Sequence, residues 1–246
     1  MTMTEQLYRA DAYSKTAEAK VVAINDHGGI ILDRTNFYAA AGGQPGDKGV
    51  LRFGAHACPI ATTVYDADKS TIVHVPADGA AKPEIGQGVT AELDWATRHA
   101  HMRVHSALHL LCSLVKWPVT GGQIGASEGR LDFDIADMTG IDKETLTGKL
   151  QALVAADHPV TERWITDAEL DANPGLVRTL SVQPPRGSGR IRLVAVGVDG
   201  AIDLQPCGGT HVRSTKEIGR VAVAKIENKG KQNRRIRVVL AGGAPA

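Results

Sequence analysis

The sequence predicts an α+β protein, with a small β-barrel-like domain over residues 1–93 and a mixed domain over residues 94–246. Three observations predict it. The first third is a series of short β-prone runs separated by Gly, Pro and Asp. One uninterrupted stretch, Trp95 to Lys116, contains neither Gly nor Pro. The last third returns to β-prone runs. Strands and helices are thus segregated along the chain, where a doubly wound sheet would alternate them. At 246 residues there is room for one large core or two modest ones.

The elements follow in order. TAEAKVVAIN and GGIILDRT flank Asp26-His27-Gly28-Gly29, a hairpin signal. GVLRFGAHACPIATTVYDA and STIVHVPA read as further strands, and Pro83 and Gly86-Gln87-Gly88 punctuate before VTAELDW. Short strands at this spacing suggest a small barrel or sandwich. From Trp95 to Lys116 apolar residues at Val104, Leu108, Leu111 and Val115 keep the period of an amphipathic helix. Asp94 or Thr97 supplies its N-cap, and Trp117-Pro118 ends it. A second helix is expected over Lys143 to Ala156 and a third, shorter one within Glu162 to Asn173. RIRLVAVG, VDGAIDL, IGRVAVAKIENK and RRIRVVLAG read as strands.

Composition narrows the function classes. With 43% hydrophobic and 22% charged residues the chain is globular, which excludes disordered and fibrous proteins. Three scattered cysteines, Cys58, Cys112 and Cys207, make no disulfide framework. No apolar leader or membrane span is apparent, so a soluble protein of the reducing cytoplasm is expected. The net charge of +1 hides an asymmetry: Arg178 to Arg237 holds thirteen Lys or Arg against four Asp or Glu. Such a sector can neutralise phosphates locally whatever the total charge.

The chemistry gathers in two places. Four of the nine histidines fall in RHAHMRVHSALHLL: His99, His101, His105 and His109. Residues four apart share a helix face, so His101/His105 or His105/His109 could present two imidazoles to one metal ion. Either pair alone is weak, because chance gives about a third of one such pair. About a hundred residues on, Cys207 and His211 are again four apart, on a Gly-rich turn in DLQPCGGTHVRS. Glycine permits the backbone angles that aim both at one point. Three nitrogens and one sulfur suit tetrahedral Zn2+. The spacing is too long for a zinc finger, and H-E-x-x-H of the metalloproteases is absent.

His105-Ser106-Ala107-Leu108-His109-Leu110-Leu111 together with Cys207-Gly208-Gly209-Thr210-His211 resembles the metal motifs of the alanyl-tRNA synthetase editing domain and its free-standing AlaX-type relatives. RIRLVAVGVDGAIDLQPCGGTHVRSTKEIG is similar to the second additional domain of threonyl- and alanyl-tRNA synthetases. FYAAAGGQPGDKG is similar to the Gly-rich motif, here residues 36–49, that precedes the editing core. In it Gly42, Gly43, Gln44, Asp47 and Gly49 match. Ala39-Ala40-Ala41 departs from the family's Pro-Glu-Gly. The length, a β-rich domain plus an editing core, matches the medium-length AlaX type.

The resemblance implies His105, His109, Cys207 and His211 as ligands of one zinc ion, with His101 outside the set. It implies hydrolysis of mischarged tRNA(Ala) at its acceptor end, Ser-tRNA(Ala) first and Gly-tRNA(Ala) second, without ATP. Gln123 matches a pocket-lining Gln-x-Gly segment, with Thr120 and Thr210 as nearby polar candidates. Gly208 and Gly209 can offer backbone N–H groups to the ester oxygen. Arg186, Arg190, Lys229, Lys231, Arg234 and Arg235 are the expected phosphate contacts. The competing readings are a catalytically silent tRNA-binding domain with structural zinc, and a zinc hydrolase of another aminoacyl ester.

Overall fold

The computed structural model describes residues 4–180 and 189–240. They fall into two compact units, divided between His99 and Ala100.

The first unit contains β1 (Glu5–Gln6), β2 (Thr16–Ile24), β3 (Ile30–Leu32), β4 (Arg34–Thr35), β5 (Gly49–Phe53), β6 (His56–Tyr65), β7 (Ile72–Pro76) and β8 (Gly88–Leu93). Six of these close into a barrel in the order β2-β3-β7-β6-β5-β8, while β1 and β4 form a separate parallel pair. Closure follows from β2 pairing with β8 from Thr16↔Glu92 to Lys20↔Gly88. The barrel is filled by residues two apart on each strand: Leu51 and Phe53, Cys58 and Ile60, Val89 and Ala91. Strand alternation sends these inward, and each full burial of a large apolar side chain contributes about 1.5–3 kcal/mol. The Asn25–Gly29 turn is a hairpin as expected: Asn25 Oδ1 accepts the Gly29 N–H at 2.8 Å, and Gly28 takes φ +76°.

The Gly-rich segment is a tight turn on a buried base. Gly42 and Gly43 have φ of +56° and +82°, between Ala41 and Gln44, whose backbones bond to each other. Below this exposed tip Gln44 and Asp47 are buried. Asp47 accepts from the Tyr38 N–H and pairs with the fully buried Arg98, whose Nε lies 2.9 and 3.0 Å from its two oxygens. Arg98 also donates to the carbonyls of Ala12 and Asn36, so one guanidinium ties three segments together. A Cβ at Gly46 would come within 1.8 Å of the Thr63 carbonyl oxygen, so that position must be glycine.

Helix α1 (Trp95–Leu114) begins in the first unit and continues through the second. Asp94 caps it, accepting from the Thr97 N–H and hydroxyl. The second unit adds β9 (Val119–Ile124), β10 (Glu128–Asp134), α2 (Lys143–Ala155), β11 (Val160–Ile165), α3 (Asp167–Ala172), β12 (Ile191–Val196), β13 (Asp203–Pro206), β14 (Val221–Asn228) and β15 (Asn233–Leu240). They make a four-stranded antiparallel sheet, β14-β15-β10-β9, and a three-stranded one, β11-β12-β13. A Cβ at Gly129 would strike Val104 and Leu108, which shows where α1 lies against β10. Among the described residues no helix is long and apolar enough to cross a membrane.

Several boundaries differ from the sequence expectation. The short helix expected within Glu162–Asn173 is Asp167–Ala172, and the residues just before it, Val160–Ile165, form a strand that pairs with β12. Thr166 divides them, because its hydroxyl and Glu169 form a reciprocal capping box. Val119–Ile124 and Glu128–Asp134 are strands that the sequence reading left unassigned, their glycines masking the pattern. VDGAIDL becomes strand only at Asp203, because Gly197 and Asp199 adopt positive φ in a turn.

Candidate metal centre

Two elements bring the donors together. Helix α1 stacks His105 above His109, their ring centroids 5.4 Å apart. The turn after β13 carries Cys207 and His211. Cys207 Sγ lies 3.5 Å from His105 Nε2 and 3.3 Å from His211 Nε2. One ligand atom from each of the four residues lies within 4.8 Å of the others, and no other such group of His, Cys, Asp or Glu occurs among the described residues. His101 is buried but is not part of this group.

The surrounding side chains orient the rings. His109 Nδ1 lies 2.8 Å from Asp203 Oδ2, and Gln205 Nε2 donates to the same oxygen at 2.8 Å. A carboxylate partner keeps the proton on Nδ1 and leaves Nε2 with a free lone pair. His211 Nδ1 pairs with Ser106 Oγ at 3.2 Å, and that oxygen accepts the Val212 N–H. Ser106 and Asp203 thus serve different histidines and form no Ser-His-Asp relay. Asp203, Gln205 and Cys207 stand two apart along one strand direction, so one face delivers the thiolate and the support for His109.

The electrostatics suit a cation. Burial resists ionisation of Cys207, yet the facing imidazoles of His105 and His211 overcome it and hold the thiol well below its usual range. Burial, reinforced by His105, pushes His211 well down, favouring a neutral ring. Burial also works against protonated His109, but its bond to Asp203 and the facing Cys207 sulfur outweigh this and raise it to about 10, so a metal ion binding there displaces the Nε2 proton. Buried Cys112 is pushed up to about 12 and stays a thiol. Three imidazoles and one ionised sulfur, enclosed and supported from behind, fit a tetrahedral metal ion.

The turn is braced from β12. Arg192, 6% exposed, donates from Nη1 to the carbonyls of Cys207 and Gly209, each at 2.8 Å. Its Nη2 pairs with Glu162 on β11. Gly209 N–H donates to Cys207 Sγ at 3.5 Å, while Gly208 is exposed.

Comparison with known proteins matches residues 191–237 to the threonyl and alanyl tRNA synthetase second additional domain and residues 5–97 to the tRNA synthetases class II (A). The alanyl-tRNA editing protein AlaX-M of Methanosarcina acetivorans is 32% identical, over 95% of this chain and 98% of its own length. The chain belongs to the AlaX-M alanyl-tRNA editing family. Another AlaX-M relative, from Saccharolobus solfataricus, is 30% identical over 95% of this chain and 98% of its own. The alanine--tRNA ligase of Pyrobaculum aerophilum is 34% identical over 91% of this chain but only 25% of the ligase. The AlaX-M match therefore runs along both chains almost end to end, whereas the ligase match is to one part.

The other candidate residues of this AlaX-M chain are not among the four clustered donors. Gln123 is exposed on β9 and accepts from Arg130 Nε at 3.2 Å. Thr210 is buried in the Cys-Gly-Gly turn and Thr120 is half-buried. Gly42, Gly43, Gln44 and Asp47 form the turn of the first unit. Of the basic set, Arg190 and Lys231 are exposed and Lys229 pairs with Glu227 at 3.7 Å. Arg234 donates to Asn228 Oδ1 and the Gly230 carbonyl, both at 2.9 Å. Arg235 bonds both oxygens of Asp132, at 2.7 and 2.8 Å. Arg186 lies outside the described residues. Sequence reasoning missed Ser106, Asp203, Gln205 and Arg192. The alternation Asp-Leu-Gln-Pro-Cys leading into the ligand is the signal that could have found two of them.

Proposed function

We propose that this chain is an aminoacyl-tRNA deacylase that acts in trans on mischarged tRNA(Ala), with Ser-tRNA(Ala) the first substrate and Gly-tRNA(Ala) the second. The observation that carries the reading is the enclosed His105–His109–Cys207–His211 donor set in a chain that matches AlaX-M proteins along 95% of its length. The metal is one zinc ion, because soft sulfur with three imidazoles selects it over magnesium or calcium. Bound there, zinc supplies Lewis acidity toward the substrate. The chain's own groups do the rest: an amide of the Cys207–Thr210 turn receives the ester oxygen, and Gln123 and Thr210 contact the substrate. In the first unit the Gly42-Gly43 turn, held by Gln44 and Asp47, meets the substrate. No covalent role falls to Cys207, whose thiolate serves as a ligand.

The chemistry explains why such an enzyme is needed. A synthetase pocket for alanine rejects serine only weakly, since serine merely adds a hydroxyl, and glycine merely lacks a methyl. A second pocket that hydrogen-bonds the serine hydroxyl leaves polar groups unpaired against alanine and so spares correct Ala-tRNA(Ala). Arg186, Arg190, Lys229, Lys231, Arg234 and Arg235 supply acceptor-stem phosphate contacts, and shape and backbone contacts suffice for an RNA helix. The reading implies a cytoplasmic, ATP-independent enzyme built from a barrel domain over 1–93 and a zinc-containing editing domain over 94–246.

Incubating the protein with Ser-, Gly- and Ala-tRNA(Ala), with and without chelator, tests it. Release of serine, sparing of alanine and loss of turnover with an intact fold are expected. Four protein donors also suit a purely structural metal. In that case chelation unfolds the second unit, and no ester is cleaved at any metal occupancy.

A further inference from the structure

We propose that Arg192 is a positioning residue that fixes the Cys207–Thr210 turn so that the Gly208 N–H is the donor to the ester oxygen. The inference rests on the deacylase reading and deepens it. Two of the turn's carbonyls, those of Cys207 and Gly209, are captured by the single Nη1 of Arg192. No cis peptide occurs among the described residues, so each captured carbonyl sends the next residue's N–H in the opposite direction. The amides of Gly208 and Thr210 therefore face away from the guanidinium. Gly209 N–H bonds to Cys207 Sγ, which removes Gly209 as a donor to substrate. Thr210 is buried, whereas Gly208 is exposed. A Cβ at Gly208 would meet no atom within 4 Å, and its N–H has no acceptor among the described residues. One exposed amide of the turn, that of the residue after the ligand Cys207, is thus left to donate.

Arg192 suits the task because its own position is fixed. It is buried, its Nη2 is paired with Glu162, and its backbone carbonyl accepts the Cys207 N–H at 3.2 Å. Lysine offers a point charge and cannot hold the same geometry. Ester hydrolysis adds the oxygen of water to the acyl carbon and moves the carbonyl π pair onto oxygen. The pair then returns as the bond to the ribose oxygen breaks, and that oxygen takes a proton from the attacking water. Charge on the carbonyl oxygen is largest between these events, and an amide already aimed at it needs no reorganisation.

The test uses the full chain loaded with Co2+, whose visible absorption reports the ligand set, and Ser-tRNA(Ala) as substrate. Three proteins are compared with the wild type: Arg192→Lys, a chain with the Gly208 amide replaced by an ester, and the two combined. Expected is an unchanged cobalt spectrum with kcat reduced about 10²-fold by the ester and about 10-fold by Arg192→Lys, KM staying within threefold. In the combined protein Arg192→Lys adds less than threefold, because its effect passes through the amide already removed. The proposal is overturned by kcat within threefold of wild type in the ester chain. It is also overturned if Arg192→Lys costs its full 10-fold in the ester background, or if the loss tracks an altered cobalt spectrum. A wild type that cleaves no aminoacyl-tRNA at all instead overturns the functional reading itself, and this proposal with it.

Discussion

Asp203 illustrates how much of the metal centre lies outside the four donors. Its carboxylate fixes the His109 tautomer and is itself held by Gln205, so removing it frees the ring without removing a ligand. Asp203→Ala is expected to lower metal affinity about 10–100-fold, measured by competition with a chromogenic chelator. An affinity within twofold of wild type would show that His109 is held by packing alone. His74 offers a separate test in the barrel. Its Nε2 lies 2.8 Å from Thr35 Oγ1 and its Nδ1 3.1 Å from the Ile30 carbonyl, and full burial lowers it to about 4. The unfolded chain protonates near 6.5, so stability from keeping His74 neutral is complete above that pH. It is lost progressively as pH falls from 6.5 to 4, by about 3 kcal/mol in all. Denaturant unfolding across this range should show the decline, and His74→Asn should flatten it.

At the scale of elements, the Gly42-Gly43 turn and the start of α1 depend on one buried ion pair. Asp47→Ala leaves the Arg98 guanidinium buried without its carboxylate and is expected to cost about 3–5 kcal/mol. A loss under 1 kcal/mol in thermal or denaturant unfolding would mean that Ala12 and Asn36 suffice to hold Arg98. The elements also show what the sequence could reveal. Helix α1 was legible because its apolar period, its cap at Asp94 and Pro118 beyond its end agree. The barrel strands were legible from Leu51/Phe53, Cys58/Ile60 and Val89/Ala91, which alternate as inward-facing strands must. β9 and β10 were not, because Gly121, Gly122 and Gly129 carry no side chain to show a face. β11 was hidden by its mostly exposed pattern, read as helix until the capping box at Thr166 is seen. The four donors were legible as two spaced pairs. Their supports were not, since an Asp, a Gln and an Arg on strands look like ordinary solvent-facing side chains until register places them at the centre.

For the molecule as a whole, the basic sector carries less free charge than its composition suggests. Arg192, Arg235 and Arg237 are held by Glu162, Asp132 and Glu227 respectively, so they shape the sheets as much as any surface field. The exposed turn bearing Lys229 and Lys231 is the better candidate for phosphate contact. Replacing both with Ala is expected to weaken tRNA binding uniformly and to reduce the slope of log affinity against log salt by up to about 2, read by filter retention. An unchanged slope would take this turn out of the interface.

The central claim is that the His105–His109–Cys207–His211 cluster holds a metal ion on which ester cleavage depends. The most direct measurement strips the folded protein of metal, restores zinc stepwise and follows Ser-tRNA(Ala) hydrolysis beside bound zinc. The rate should rise in proportion to occupancy, level off at one zinc per chain and stay at background in His109→Ala. Full turnover by metal-free protein that remains folded would contradict the account.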